Sequence, residues 1–421
     1  MFKLFIIIIT FYLILRGWQA LSDKYSQIVY SVILGIILLG LGSAFISHSL
    51  SDIVPDRFER SYEIKKSYFF IFFTLFLTAA IFADLLRILN HFFSIFPSVV
   101  RKNYSHAKTI YFLSVVLFSV VISVTGFRNY FNPVINDVDL TYSADSFKVG
   151  DMNIVAASDF HLGPLIGTDR LVFWTGMIND QEPDLILLVG DIFDYRFKQK
   201  YSTEVIAELK KLRSVYGVYA VPGNHEYSFG IKRSIEYLEK AGINVLRDTA
   251  ITIDGRITLI GRDDADNRRR ESLESLLAGA DTSLPIVLMD HQPVDLTSAV
   301  RNRIDLQISG HTHNGQIFPG NYLARLKWDL VYGHRKTGNT DFYVTSGIGL
   351  SMIPLRLGTR SELVRINLKA QGEELRAQSR DRSEAEIPHQ RKQRAEIGAK
   401  RRFRISGSEE QRFRVSGSIG Q

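Results

Sequence analysis

Apolar positions are bunched at the start of this chain and spaced out beyond it. Residues 4–15, 28–46, 67–83 and 109–126 are four runs dominated by Phe, Ile, Leu and Val, none carrying a charge. A bilayer-crossing helix needs about 20 apolar residues, with about 17 as a lower limit. The second, third and fourth runs reach that limit. The first, flanked by Lys3 and Arg16, is short enough for a signal-peptide core, but no small-x-small cleavage site follows it. It therefore predicts a retained helix. Core helices of soluble proteins seldom run so long without charge. Residues 1–127 thus predict an all-α, multi-pass transmembrane region of about four helices.

Past Gly126 the pattern changes. Residues 128–146 are polar, with Pro133, Asp137, Asp139 and Asp145, and predict a linker. From 147 to 369 short β-type runs alternate with helical ones. Strands are expected at 153–158, 185–189, 218–221, 258–261, 286–289, 306–309, 342–345 and 363–368, and amphipathic helices at 203–212 and 231–241. Strands alternating with helices give an α/β domain. Residues 370–421 are hydrophilic and predict a disordered basic tail. In it RFRISGSEEQ (402–411) is echoed by RFRVSGSIGQ (412–421). Two copies are too few for a solenoid. A solvated tail is the plain reading, and contact with anionic lipid headgroups the rival.

Composition trims the function classes. The chain has no cysteine, which excludes disulfides and thiolate metal sites. The formal charge is +7. Much of that excess falls in the helical region and the tail, so it is poor evidence for nucleic acid, and none is expected as a partner.

The chemistry sits in five motifs that end or follow expected strands. They are Asp159-Phe-His161, Gly190-Asp191-Ile-Phe-Asp194, Gly223-Asn224-His225-Glu226, His291-Gln292-Pro293 and Gly310-His311-Thr312-His313. Open α/β sheets place their sites at such strand ends. The donors are oxygen and nitrogen, a set that suits Mn, Fe or Zn. A metal pair about 3.5–4 Å apart can clamp the attacking and leaving oxygens of a phosphoryl displacement. Two cations that close repel, so a shared carboxylate is expected between them. His311 and His313, two apart in extended chain, project to one side. Any one motif alone is more often a satisfied loop than a ligand. Five in this order are hard to obtain by accident.

Over residues 150–368 these motifs resemble the calcineurin-like metallophosphoesterases, whose pattern is D-x-H, G-D-x-x-D/E, G-N-H-D/E, a single His and G-H-x-H. The resemblance implies a four-layer α/β/β/α sandwich with two divalent metal ions at the strand ends. Carried over, Asp159, His161, Asp191 and His313 hold one metal. Asp191, Asn224, His291 and His311 hold the second, with Asp191 as the bridge. His225 protonates the leaving oxygen, and Asp194 is a supporting carboxylate. The wording of 309–317, Ser346-Gly-Ile-Gly and Pro354-Leu-Arg is similar to a branch of membrane-anchored or exported bacterial phosphodiesterases. Asp290, just before His291, departs from the pattern: it either tunes the second metal or faces away.

The expected function is metal-assisted hydrolysis of a phosphate ester at a membrane. The substrate is a phosphodiester or a lipid-linked pyrophosphate, with membrane lipid as neighbour. The rivals are a sensor or transport unit with a subsidiary phosphoesterase, and a scaffold on a decayed fold. Ionisable residues within the spans would favour the sensor; lost ligands would favour the scaffold, and none is missing. The count of Lys and Arg in the loops does not decide sidedness. The basic flank before the final span, the acidic stretch after it and the resembling proteins favour an extracytoplasmic domain.

Overall fold

A computed structural model describes residues 2–20, 28, 56–143, 151–351 and 353–371. Its N-terminal helices are Phe2–Ala20, Asp56–Phe93 and Tyr104–Phe131, with a short turn of helix at Ser98–Lys102. Among the described residues two stretches are long and apolar enough to cross a membrane, Ile71–Phe93 and Tyr104–Phe131. Apart from Ile28, the expected helix at 28–46 lies outside the described residues, as does the tail from 372 on. Polar groups join the three long helices, alongside a ring contact of Phe76 with Phe112. Asp84 is held by Arg16 at 2.5 Å, by Arg87 at 2.7 Å and by the Tyr12 hydroxyl at 2.8 Å. The Lys108 ammonium donates to the Gln19 carbonyl, and the Tyr111 hydroxyl to that of Ala79. Ser119 and Ser123 donate to the carbonyls of Val115 and Ser119, one turn back, which satisfies both hydroxyls within the Tyr104–Phe131 helix.

Of the expected linker at 128–146, the described residues, 128–143, are helix and strand rather than a free linker. The helix runs on to Phe131, and strand β1 spans Val134–Ser143. Its buried positions, Val138, Leu140 and Tyr142, alternate with exposed Asp137 and Asp139. That is the period of a strand with one face covered. The Asp residues that suggested a loop are its outer face. Asp137 pairs with Arg365 at 2.5 Å, and Asp139 accepts from Asn367.

The remaining strands are β2 (Met152–Ala157), β3 (Leu185–Val189), β4 (Val218–Val221), β5 (Asn244–Val245), β6 (Thr249–Ile253), β7 (Ile257–Gly261), β8 (Ile286–Met289), β9 (Leu306–Ser309), β10 (Gly333–Thr337), β11 (Thr340–Val344) and β12 (Glu362–Gln371). Among the described residues they form two six-stranded sheets, ordered β1-β12-β2-β3-β4-β5 and β10-β11-β9-β8-β7-β6. The pairs β2–β3, β3–β4, β7–β8 and β8–β9 are parallel. Parallel strands are covered on both faces, which is why β3 reads Leu-Ile-Leu-Leu-Val without alternation.

Each sheet has its own helical cover. Leu171, Trp174 and Ile178 of helix Thr168–Asn179, with Val205, Leu209 and Leu238 from two further helices, pack on Val155, Ile186 and Leu188. On the second sheet, Leu273 and Leu276 of Leu273–Ala278 and Leu296 of Leu296–Arg301 pack on Ile260, Leu288 and Phe342. The opposite faces meet where Gly261 lies against Leu246 and Val221. The catalytic-type region is therefore an α/β fold of helix, sheet, sheet and helix. The C-terminal ends of β2, β3, β4, β8 and β9 each run directly into one of the five motifs.

Candidate metal centre

The strand-end loops fold tightly enough to turn their side chains back over the sheets. Asp159, His161, Asp191, His311 and His313 all lie at positive φ, between 48° and 68°. Each such non-glycine residue costs on the order of 1 kcal/mol, and this kind of strain gathers at functional sites. Gly310 has a specific reason to be glycine. A β-carbon there would strike Ser158 and the Asp159 carboxylate.

The expected residues converge into three overlapping clusters. Asp159, His161 and His313 form one, His161, Asp191 and His225 a second, and Asp191, His291 and His311 a third, each with ligand atoms within 4.8 Å. His161 Nε2 and His313 Nε2 are 3.0 Å apart, and His313 Nε2 is 3.3 Å from Asp159 Oδ1. Asp191 Oδ2 lies 3.8 Å from His161 Nε2 and 3.2 Å from His291 Nε2, so one carboxylate belongs to both sides of the site. Asn224 joins the second side through His311, at 2.8 Å from Oδ1 to Nδ1.

Charge in this cradle is unbalanced. Burial pushes His161 down to about 4 and His311 down to about 3, and holds His313 well below the usual histidine value. These imidazoles are neutral, as metal ligands must be. Burial also raises Asp159, to about 6. Burial would raise Asp191 too, but the charge of His291 and its hydrogen bond to the carboxylate outweigh it, and Asp191 stays far below the ordinary carboxylate value. His291 goes the other way: burial opposes its charge, yet Asp191, Asp159 and Asp264 hold it well above the usual range. A buried anionic site is asking for a cation.

The donors suit a divalent pair. His291 Nδ1 lies 2.8 Å from the Val189 carbonyl, which accepts the Nδ1 proton, so that Nε2, facing Asp191, is the nitrogen that would turn to a metal in exchange for its proton. Among the described residues His161 Nδ1, also buried, finds no hydrogen-bond partner. His225 stands over the cluster, its ring 4.4 Å from that of His161 in a T-shaped contact and its backbone N–H donating to Asp191 Oδ1.

Three supporting roles become visible only in three dimensions. Glu226 accepts backbone N–H bonds from Asp191, Phe193 and Gly223 at 2.7–2.9 Å, tying two motif loops together. Arg356 is fully buried. Its Nη2 donates to the carbonyls of Ser346, Gly347 and Gly349 and lies 3.4 Å from His313 Nδ1. Trp328 sets its ring edge-on to His311, with centroids 5.2 Å apart. Glu226 and Arg356 fall in stretches that stand out in the sequence, but nothing there assigns their roles; Trp328 carries no signal at all. Asp194 accepts from the Arg196 backbone and guanidinium and shapes a turn. Asp290 faces away, into Arg262 and Arg270.

The sequence model of the calcineurin-like phosphoesterases matches residues 152–315. An "Uncharacterized metallophosphoesterase" of Helicobacter pylori is 34% identical over 224 residues, covering 52% of this chain and 60% of that protein. One of Aquifex aeolicus is 32% identical over 234 residues, 53% of this chain and 88% of its own length. A Bos taurus "Transmembrane protein with metallophosphoesterase domain" is 32% identical over 275 residues, 61% of this chain and 62% of that one. The aligned part thus spans a little under two thirds of the Helicobacter and bovine proteins and most of the Aquifex protein.

Proposed function

This chain belongs to the calcineurin-like metallophosphoesterase family, a family of phosphoric-ester hydrolases, and we propose that it is a membrane-anchored, metal-dependent hydrolase of phosphodiesters or lipid-linked pyrophosphates. Asp159, His161, Asp191 and His313 would hold one divalent ion, and Asp191, Asn224, His291 and His311 the other. When bound, such a pair supplies positive charge that polarises the phosphoryl group and offsets charge developing in the transition state. The observation that carries this reading is the position of Asp191, a single buried carboxylate facing His161 on one side and His291 on the other.

The chain's own groups divide the remaining work. Asp191, which reaches both ligand sets, would be the carboxylate shared by the two ions. Glu226 fixes the Asp191 backbone and Arg356 backs His313, so the ligands are held before substrate arrives. His225, at the open edge of the cluster, would give its proton to the leaving oxygen, a role typically worth about 10²–10⁴ in rate.

Membrane association rests on the two apolar helices and on the similarity to a protein named as transmembrane. The multi-pass arrangement and an extracytoplasmic domain are part of the same proposal. Arg101, Lys102 and Lys108 precede the last span, against Arg128 after it. The acidic stretch weighs less, since Asp137 is neutralised by Arg365. Alkaline-phosphatase and green-fluorescent-protein fusions after Asn136 test sidedness. A bright fluorescent fusion without phosphatase activity reverses the orientation.

The test of the chemistry is full-length protein in detergent, analysed for bound metal and assayed with Mn²⁺ on chromogenic mono- and diesters and on lipid pyrophosphates. Two equivalents of metal and ester turnover are expected. Metal-replete protein that turns over none of these esters refutes the proposal.

A further inference from the structure

The loop from Gln316 to Val331, between the last metal-binding motif and β10, has an unusual surface for a folded domain. Phe318 is 60% exposed, Tyr322 56%, Leu323 64% and Leu326 85%. Arg325 and Lys327 sit among them, stacked over Tyr322 and Trp328. An apolar patch with cations at its edge is an interaction surface by composition. Its placement says with what. The loop is clamped at both ends to the metal centre's own scaffold. Thr312, between His311 and His313, donates to the Val331 carbonyl at 2.6 Å, and Phe318 N–H donates to Leu357 O at 2.8 Å. The neighbouring residue Arg356 gives its backbone N–H to the carbonyl of Gly126, within the last apolar span. Leu355 lies against that same glycine. Three consecutive residues, Leu355 to Leu357, therefore touch the end of a candidate membrane helix on one side and the start of the exposed patch on the other.

From this juxtaposition we infer that residues 318–328 dip into the bilayer surface beside the end of the Tyr104–Phe131 helix, and that the metal centre takes amphiphilic phosphate esters presented from that surface. The inference rests on the hydrolase reading for the second half of that statement only. Phe318, Tyr322, Leu323 and Leu326 supply the apolar contact, and Arg325 and Lys327 face anionic headgroups. Trp328 closes the path from patch to site, since its ring touches His311. An ester held in the membrane by its acyl or prenyl chain then meets the cradle without leaving the lipid.

The chain's lack of cysteine makes the test direct. Leu326→Cys carries a nitroxide in the full-length protein, reconstituted in nanodiscs of phosphatidylcholine and phosphatidylglycerol. Ile110→Cys, on the apolar span, is the bilayer reference, and Val215→Cys, exposed on the domain, the aqueous one. The label at 326 should be open to oxygen and shielded from a nickel chelate, like the label at 110. Free access to nickel, as at 215, overturns the proposal. Shielding from both reagents, or spin–spin broadening from a second label, also overturns it, because the face is then covered by protein. In a second arm, Leu323→Ser with Leu326→Ser should slow hydrolysis of a vesicle-borne lipid pyrophosphate about tenfold, a loss set by the apolar contact removed. Cleavage of a soluble nitrophenyl diester should stay within about twofold. Equal loss on both substrates overturns it. If wild-type protein cleaves neither, the hydrolase reading fails, while the depth of residue 326 still decides the docking.

Discussion

At the end of β8 two neighbouring residues open onto differently built charged pockets. Asp290 turns to Arg262, at 3.1 Å, and to Arg270, at 3.0 Å. His291 turns to a cradle in which the ion-pair partners of Asp159 and Asp191 are histidines alone. Both pockets bury carboxylates, which is costly unless each finds a counter-charge. In the first the chain supplies guanidinium groups, which do not lose their proton. In the second it supplies imidazoles, three of which burial keeps neutral. The difference is one of completeness. The arginine pocket is finished when the chain folds, whereas under the proposed function the cradle is finished by cations from outside.

The sharpest way to break that contrast is Asp191→Asn. The loss in turnover should exceed about 100-fold, since even partners outlying the ligands cost about 10–100-fold at metal sites. Metal analysis should find both positions depleted. Without metal, the variant should melt lower than wild-type protein, because buried His291 loses the carboxylate it pairs with at 3.2 Å. Full occupancy with near-normal turnover would remove Asp191 from its shared role. His225→Ala should keep both metals and turn over about 10²–10⁴ more slowly. The defect should be largest for alkyl esters and smallest for nitrophenyl esters, whose leaving groups need little protonation. A uniform loss rules out proton donation.

Arg262→Ala probes the finished pocket. Stripping a partner from buried Asp290 should cost about 3–5 kcal/mol of stability, read by denaturant unfolding, with metal content unchanged. Metal lost in step with stability would mean the two pockets are not independent. The smallest effect is expected from Arg356→Lys. An ammonium cannot reach three carbonyls and His313 as the planar fork does. Manganese affinity, by titration calorimetry, should weaken about tenfold. Unchanged affinity would leave Arg356 as a prop for the 346–349 loop only.

The sequence is most legible where one cause acts alone. β3, β4 and β8 are short unbroken apolar runs, β9 alternates as Leu-Gln-Ile-Ser, and all four lie where the sequence predicts them. β10, with His334, Arg335 and Lys336, has no apolar pattern because it is an edge strand bonded to β11 alone, and charge protects such an edge. β5 is two residues long and carries no period. β1 shows the alternation of a strand, but Pro133 and its outer-face aspartates imitate a loop. The donor residues are readable because each follows a strand end at once. Arg356 and Trp328 are not, since they reach the site through loop folding that no local spacing encodes. Asp290 illustrates the limit: it is next to His291 in sequence and in a different pocket in space.

Arg356 also binds two distances together. Its backbone is bonded to Gly126 of the last span, and its side chain stands behind His313. Under the proposed function, the phosphoesterase fold is thus bolted to its anchor rather than leashed to it. A leashed enzyme searches a volume, and its rate follows bulk concentration. A bolted one searches a plane at fixed height, so its natural variable is the number of substrate molecules per area of membrane. Diluting the substrate within the lipid should slow such an enzyme; diluting the vesicles in water should not.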